Sequence, residues 1–226
     1  SALDPQGYRH ARAVVEAMSK PERLGAAEIV PGGRVGVARF PADAQTASEL
    51  LEAAQTARMG IPATGEQVAI FTPEARAAAL RKLAVESGLR HAAERGELGL
   101  SYQLQADLTT GEIAGAQVIM NWTSQTLGSV PGHEFVPIAM QTGLIVMLGD
   151  WKREAVCQQL RAWEQAGVRM PRLCLRISQL ELQQPDMVDK LRQSLLANGL
   201  QAQALGIEIS EQALFNASPE LVQTLN

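Results

Sequence analysis

The stretch that decides the fold is Gly115-Ala116-Gln117-Val118-Ile119-Met120-Asn121-Trp122, most of a strand pattern over residues 113–122. A second strand pattern, residues 98–108, precedes it across the turn Thr109-Thr110-Gly111. Helical patterns and two further strand patterns follow in alternation. Because alternating strands and helices favour a parallel sheet or barrel, the sequence predicts an α/β fold from residue 98 onward.

The elements after residue 122 can be placed from periodicity. Helices are predicted over residues 134–148, 151–166 and 187–198, and strands over residues 173–178 and 205–210. Side chains alternate between the two faces of a strand. Arg176 therefore shares a face with Cys174 and Ser178, and Glu208 lies on the face of Gly206 and Ser210.

The first part of the chain predicts a small, separate α/β piece. Its patterns are a helix over residues 8–18, a strand over 34–40, a helix over 47–59 capped by Thr46, and a strand over 67–71. Thr72 and Pro73 then open an alanine-rich helix that is predicted to end near Gly96. The predicted domains are residues 1–71, a connecting helix over 72–97, and residues 98–226.

Composition limits the classes of protein. With 226 residues, 46% hydrophobic and 19% charged, the chain can form one or two soluble domains. A net charge of -4 without a basic tract argues against a nucleic-acid polymer as partner. The apolar stretch at residues 135–148 is too short to cross a bilayer, so no membrane contact is expected from this segment. Cys157 and Cys174 predict two buried free thiols in a reducing, cytoplasmic compartment.

Several motifs of the second half resemble the EAL family of cyclic-di-GMP phosphodiesterases. They are Tyr102-Gln103, the Gly115–Trp122 run, Glu134-Phe135-Val136-Pro137, Thr142-Gly143-Leu144-Ile145 and Ile207-Glu208-Ile209-Ser210-Glu211. The resemblance implies a TIM-like (β/α) barrel, of which residues 98–226 would supply the N-terminal half. The family's later strands and its catalytic lysine would lie after Asn226, so the natural protein is expected to continue or to be completed by another chain.

The first half is similar to the C-terminal part of a GGDEF domain. Val35-Gly36-Val37-Ala38 resembles the late strand of that family, and Ala53–Met59 resembles the helix that follows it. A tandem GGDEF–EAL architecture joined by one helix fits the order of elements. EAL domains commonly form dimers, and an unpaired barrel edge invites association, so a homodimer is expected.

The resemblance also implies where metal ligands should stand. EAL phosphodiesterases use Mg²⁺ or Mn²⁺, which need anionic oxygen ligands. The three visible ligand positions are occupied by Gln117, Arg176 and Glu208. Gln117 offers a neutral carbonyl, and Arg176 carries a permanent positive charge and has no lone pair to donate. No cofactor and no catalytic residue are therefore expected, and Glu208 would be a ligand only if a metal bound at all.

At the other positions of the family motifs, some residues are retained and one is replaced. Asn121 stands where the family has an arginine that contacts the phosphate of the ligand. Gln103, Phe135 and Pro137 keep residues that shape the ligand pocket, so they are candidate ligand-binding residues. Glu211 is either a site residue or a first-turn helix residue favoured by the helix dipole. Without the resemblance, the favoured interpretation of Gln117 is a polar strand residue with a satisfied amide.

Burial of charge leads to one geometric prediction. A barrel turns Arg176 and Glu208 inward, and a buried guanidinium needs a hydrogen-bonded anion. We therefore expect Arg176 to occupy the former metal position and to pair with Glu208, with Glu211 as a further candidate partner.

The sequence thus predicts a catalytically inactive regulatory or protein-interaction module of bacterial cyclic-di-GMP signalling. Its protein partner is not identified by the sequence. The alternative is a non-catalytic cyclic-di-GMP receptor that transmits binding through the helix of residues 73–95. A third alternative, an active phosphodiesterase with Mg²⁺ or Mn²⁺, requires the missing half of the barrel to supply the metal-binding charge.

Overall fold

The structure is a computed structural model that describes residues 5–25, 27–61, 65–168, 170, 172–211 and 213 of the chain. The chain divides into two compact units, Ser1–Leu83 and Ala84–Asn226. The division falls inside the helix α3, Pro73–Leu89. Each unit has its own hydrophobic clusters, and each is described separately below.

The first unit is a small α/β arrangement. Its elements are α1 (Pro5–Met18), β1 (Glu22–Leu24), β2 (Ala27–Ile29), β3 (Val35–Val37), α2 (Ala47–Met59) and β4 (Val68–Ile70). β1 and β2 form an antiparallel pair, and β3 pairs in parallel with β4. The observed strand β3, Val35–Val37, is shorter than the strand predicted over residues 34–40.

Two helix starts follow from local hydrogen bonding. Thr46 accepts a bond from the Glu49 backbone N–H at 3.2 Å, and the Glu49 carboxylate accepts one from the Thr46 backbone N–H. This reciprocal capping box starts α2 at the predicted residue. Thr72 likewise accepts from the Ala75 backbone N–H at 3.1 Å, which confirms it as the cap of α3.

The second unit contains one mixed sheet. Its strands are β5 (Leu98–Ala106), β6 (Ile113–Ser124), β7 (Gly128–Val130), β8 (Leu173–Ile177) and β9 (Leu205–Ile209). The order is β5-β6-β8-β9, with β7 paired to β6. β5 and β7 are antiparallel to β6, whereas β6, β8 and β9 run parallel. The parallel core confirms the α/β prediction, and within the described residues the sheet is open and does not close into a barrel.

The helices of the second unit differ from the predicted ones in two places. They are α4 (Gly132–Thr142), α5 (Leu144–Gln165), α6 (Gln179–Leu182) and α7 (Met187–Ala197). Helices were predicted over residues 134–148 and 151–166, and the position of the break between them was wrong. The break lies at Gly143, where φ is 76°. α3 ends at Leu89, earlier than the expected Gly96. Among the described helices, none has both the length and the apolar character needed to cross a membrane.

The core of the second unit lies on the outer, helix-facing side of the sheet. Ala116, Val118 and Leu173 pack with Val156 and Leu160 of α5. Trp122 packs at the other end of β6, with its ring at 5.9 Å and nearly perpendicular to that of Phe135. Both cysteines are buried and free, as the sequence predicts. Because the outer face is apolar, polar side chains of the same strands are turned to the inner face.

Candidate functional site

Alternation along the strands brings four polar residues to the inner face of the sheet. Ala116 and Val118 are buried on the outer side, so Gln117 points inward. Gln105, Arg176 and Glu208 reach the same face from β5, β8 and β9. The backbone register pairs Arg176 directly with Glu208. The structure thus places Arg176 and Glu208 on one face, as the alternation along their strands predicts.

Two glutamines hold the Glu208 carboxylate. Gln105 Nε2 donates to Glu208 Oε1 at 3.0 Å, and Gln117 Nε2 donates to Glu208 Oε2 at 2.5 Å. The Gln105 carbonyl oxygen in turn accepts a weak bond from Cys174 Sγ at 3.4 Å. We call Gln105, Gln117 and Glu208 the Glu208 clamp. It joins β5, β6 and β9 across the inner face.

The predicted ion pair of Arg176 is wrong. Among the described residues, Arg176 forms no ion pair with Glu208 or Glu211, and its side chain is exposed. Each oxygen of Glu208 instead accepts a bond from an amide donor of the clamp. Because Arg176 lies in an open cavity, water can solvate its guanidinium without the desolvation that makes a partner obligatory.

Arg176 lines a cavity of about 650 Å³ at the carboxyl ends of the parallel strands. Gln117, Ser178 and Ser210 line the same cavity, together with Pro137 from α4. Crevices at the carboxyl ends of parallel strands are the usual ligand sites of α/β folds. Gln117, Arg176 and Pro137 are thus the sequence-predicted residues that the structure brings together here.

The other predicted site residues are not among the described residues that line the cavity. Phe135 is fully buried against Trp122 and belongs to the core, so its prediction as a ligand contact was wrong. Asn121 is exposed and donates to Ser101 Oγ at 3.0 Å. Gln103 is exposed and is the register partner of Gln117. Glu211 is exposed. None of these four is among the residues described as lining the cavity.

Lys152 and Glu181 are site residues that the sequence reasoning missed. Lys152 Nζ donates to the Arg176 carbonyl at 2.7 Å and lies 3.8 Å from Glu181 Oε1. Burial lowers the pKa of Lys152, and the Glu181 charge opposes that shift. Glu181 closes a capping box with Ser178 at the start of α6. The Ser178-x-x-Glu181 spacing could have revealed this box, whereas nothing in the sequence marks Lys152.

Gly149 leaves space for the Glu181 side chain to lie against α5. A Cβ at this position of α5 would collide with the Glu181 side chain as it is placed, so a larger residue would require the Glu181 carboxylate to move. The Glu181 carboxylate can then lie against α5 beside Lys152. Lys152 in turn donates to the Arg176 carbonyl of β8.

The donor set of the centre does not fit a divalent metal ion. Mg²⁺ and Mn²⁺ are held by several anionic oxygens. Within the described ranges, no three His, Cys, Asp or Glu residues come together in a way that could hold a metal. Glu208 is engaged by two amide donors, and Arg176 adds a positive charge beside it. The residues present are therefore those of a neutral or cationic centre.

The chain is similar to known proteins in sequence. A protein-family model described as EAL domain matches residues 86–226. The chain is 29% identical over 214 residues to the bifunctional diguanylate cyclase/cyclic di-GMP phosphodiesterase MucR of Pseudomonas aeruginosa, covering 94% of this chain and 31% of that protein. It spans 25–31% of the length of the first curated relatives that it matches.

Solved structures show the same likeness. The PaMucR phosphodiesterase in complex with c-di-GMP aligns with a TM-score of 0.59 and 28% identity, over 63% of this chain and 57% of that one. The FimX EAL domain of Xanthomonas citri in complex with c-diGMP aligns with a TM-score of 0.55 and 23% identity, over 62% and 54%. The second likeness concerns the fold alone.

Proposed function

This chain belongs to the EAL domain family, and from that premise we propose that it is a catalytically inactive regulatory or protein-interaction module. EAL domains act in cyclic-di-GMP signalling, generally as metal-dependent phosphodiesterases. Loss of metal-dependent hydrolysis would leave a domain that signals through binding or conformational coupling. The relatives include active phosphodiesterases, so the proposal depends on this chain's own residues.

The charge of the inner face is the observation that carries the proposal. Metal-assisted phosphodiester hydrolysis needs a divalent ion to polarise the phosphate and activate water. Gln117 and Arg176 occupy two positions at which the family resemblance implies metal ligands, and Glu208 is engaged by amide donors. A guanidinium beside the only carboxylate of this set repels a cation. No hydrolytic step is therefore assigned to this chain.

A second candidate is a non-catalytic cyclic-di-GMP receptor. The cavity of about 650 Å³ and its unpaired arginine favour this reading, since binding needs shape and charge complementarity rather than metal chemistry. MucR and FimX have both been solved in complexes with this nucleotide. Under this reading, the nucleotide is a ligand and Pro137 is one of its contacts.

The organisation of the longer protein is also a proposal. The match to a bifunctional cyclase and phosphodiesterase over 94% of the chain supports residues 1–71 as the remainder of a GGDEF-like domain and residues 72–97 as a connecting helix. We further propose that residues 98–226 form the N-terminal part of a degenerate EAL domain. A homodimer and a cytoplasmic location complete the proposal, the latter consistent with two free thiols.

A turnover assay tests the proposed loss of catalysis. The longest natural protein that contains this chain is incubated with cyclic-di-GMP and Mg²⁺ or Mn²⁺, and linear dinucleotide is quantified by chromatography. MucR under the same conditions is the positive control. We expect no product above the protein-free rate. Metal-dependent product that disappears on Glu208→Gln substitution would contradict the proposal.

A further inference from the structure

We propose that Lys152 is a positioning residue of the cavity, because Lys152 and Glu181 together hold the corner at which β8 turns into α6. This corner, residues 176–178, contains Arg176 and Ser178, two of the side chains that line the cavity. The role of Lys152 rests on the proposed function only in that this cavity is taken as the site. It concerns what fixes the wall of the cavity, so it can be tested without a ligand.

The corner depends on contacts from outside its own short helix. β8 ends at Ile177, and α6 spans only Gln179–Leu182. A helix of four residues is a single turn, and a single turn is unstable in water without tertiary contacts. Side chains that bind the backbone of the corner therefore determine where Arg176 and Ser178 lie.

Lys152 and Glu181 bind both ends of the corner. Lys152 Nζ, from α5, donates to the Arg176 carbonyl at 2.7 Å. Glu181 Oε2 accepts from the Ser178 backbone N–H at 2.7 Å. Lys152 Nζ lies 3.8 Å from the other carboxylate oxygen, Glu181 Oε1. One charge pair thus joins the first and the last residue of the corner.

The burial of this pair makes each partner depend on the other. Only 12% of the Lys152 side chain and 10% of the Glu181 side chain are exposed. Removing one charge of a buried pair leaves the other charge desolvated and uncompensated. Among the described residues, no second cation lies within ion-pair distance of Glu181. Without Lys152, the Glu181 carboxylate should therefore turn towards solvent and release the Ser178 N–H.

One face of α5 is matched to the corner. Gly149 and Lys152 are three positions apart, so they share a face of the helix. A Cβ at Gly149 would collide with Glu181 as it is placed, so this face leaves space for the carboxylate. Asp150, which follows Gly149, instead accepts a bond from Lys190 of α7 at 3.0 Å. Lys152 and Lys190 thus form comparable bridges in two different places.

Backbone amide NMR of the full chain tests the role of Lys152. The Ser178 amide is the reporter, because its N–H donates to Glu181. Lys152→Met removes the charge at similar length, and Lys152→Gln keeps one donor. Lys190→Met is the matched control, because Lys190 also forms two ion pairs and both are with residues outside the corner.

We expect the Ser178 amide resonance of Lys152→Met to move upfield. Its hydrogen exchange should become about 10- to 100-fold faster, the range for loss of a hydrogen bond to a charged group. Lys152→Gln should move the resonance in the same direction by less, and Lys190→Met should leave it at the wild-type position. A chemical shift of the folded state does not respond to a change in global stability, so a merely stabilising lysine would not move it.

Two results would overturn the proposal. One is a Ser178 resonance that coincides with wild type in Lys152→Met, or in Lys152→Gln where the first variant does not fold. The other is an equal movement of that resonance in Lys190→Met. Hydrolysis of cyclic-di-GMP by the wild type would instead contradict the proposed loss of catalysis. Because the NMR measurement contains no nucleotide, failure of the positioning role and failure of the proposed function are distinguishable.

Discussion

Gln117→Glu is the substitution that most sharply tests the geometry of the Glu208 clamp. It replaces an amide donor 2.5 Å from a carboxylate oxygen with a second carboxylate. Two charges about 3 Å apart repel by about 5 kcal/mol at an effective dielectric constant of about 20. The pair can avoid this by keeping one proton, which costs about 3.7 kcal/mol at pH 7 for a group of ordinary pKa about 4.3.

We therefore expect Gln117→Glu to lower the free energy of unfolding at pH 7 by about 2–4 kcal/mol, since the shared proton is the less costly solution and restores one hydrogen bond. The carboxyl that keeps the proton has a raised pKa in the folded state. Stability is then retained below the unfolded pKa and is lost as pH rises through the folded pKa. Near pH 4 the variant should approach the wild-type stability.

Urea unfolding followed by tryptophan fluorescence from pH 4 to pH 8 measures this dependence. All three tryptophans lie in the second unit, so the signal reports that unit. Gln158→Glu is the matched control, because Gln158 Nε2 also donates to a carboxylate, Glu154 Oε1, on an exposed helix surface at 2.9 Å. The free energy of unfolding of this control variant should change by less than about 0.5 kcal/mol. Equal, pH-independent effects of both substitutions would refute the clamp.

Three further predictions concern buried groups of the second unit. The bond from Trp122 Nε1–H lowers the pKa of Glu97, so its stabilisation is full above the unfolded pKa and is lost as pH falls through the folded pKa. Glu97→Ala should cost about 2–4 kcal/mol in urea unfolding, and an effect below 0.5 kcal/mol would contradict it. Burial raises the pKa of Cys157 to about 11, so mass spectrometry should find this thiol unmodified by iodoacetamide at pH 8 until the chain unfolds; rapid labelling of the native protein would be inconsistent. Lys152→Met should destabilise the unit by about 1–3 kcal/mol, because it removes the ion-pair partner of the Glu181 carboxylate and the lysine donor to the Arg176 carbonyl; unchanged stability would argue against that contact.

The parts of the fold that could be predicted are those fixed by local chemistry. Thr46 and Thr72 cap helices through bonds to residues three positions away, so a short stretch of sequence contains the whole signal. Gly143 was missed as a helix break although Gln141, Thr142 and Gly143 interrupt the apolar run of residues 135–148. Its left-handed backbone is the glycine cap that ends α4, with its N–H donated to the Met140 carbonyl, and hydrophobic periodicity does not reveal such a cap.

The candidate site could be predicted only in part. Alternation identified the inward face of Arg176 and Glu208, because the period of a strand is fixed. The partner of Glu208 was not predictable, since any polar side chain on this face competes for a carboxylate. Gln105 donates to Glu208 from a strand 103 residues away in sequence. Neither the spacing nor the residue type of Gln105 distinguishes it from Gln103.

Calorimetric titration of the longest natural protein with cyclic-di-GMP tests the central claim most directly. The titration is performed in EDTA and in Mg²⁺, and the nucleotide is recovered afterwards for chromatography. If catalysis is lost, as the account predicts, the titration should be the same in both conditions, whether or not the nucleotide binds, and the nucleotide should be intact at the end. Binding that requires Mg²⁺, together with recovery of linear dinucleotide, would contradict it.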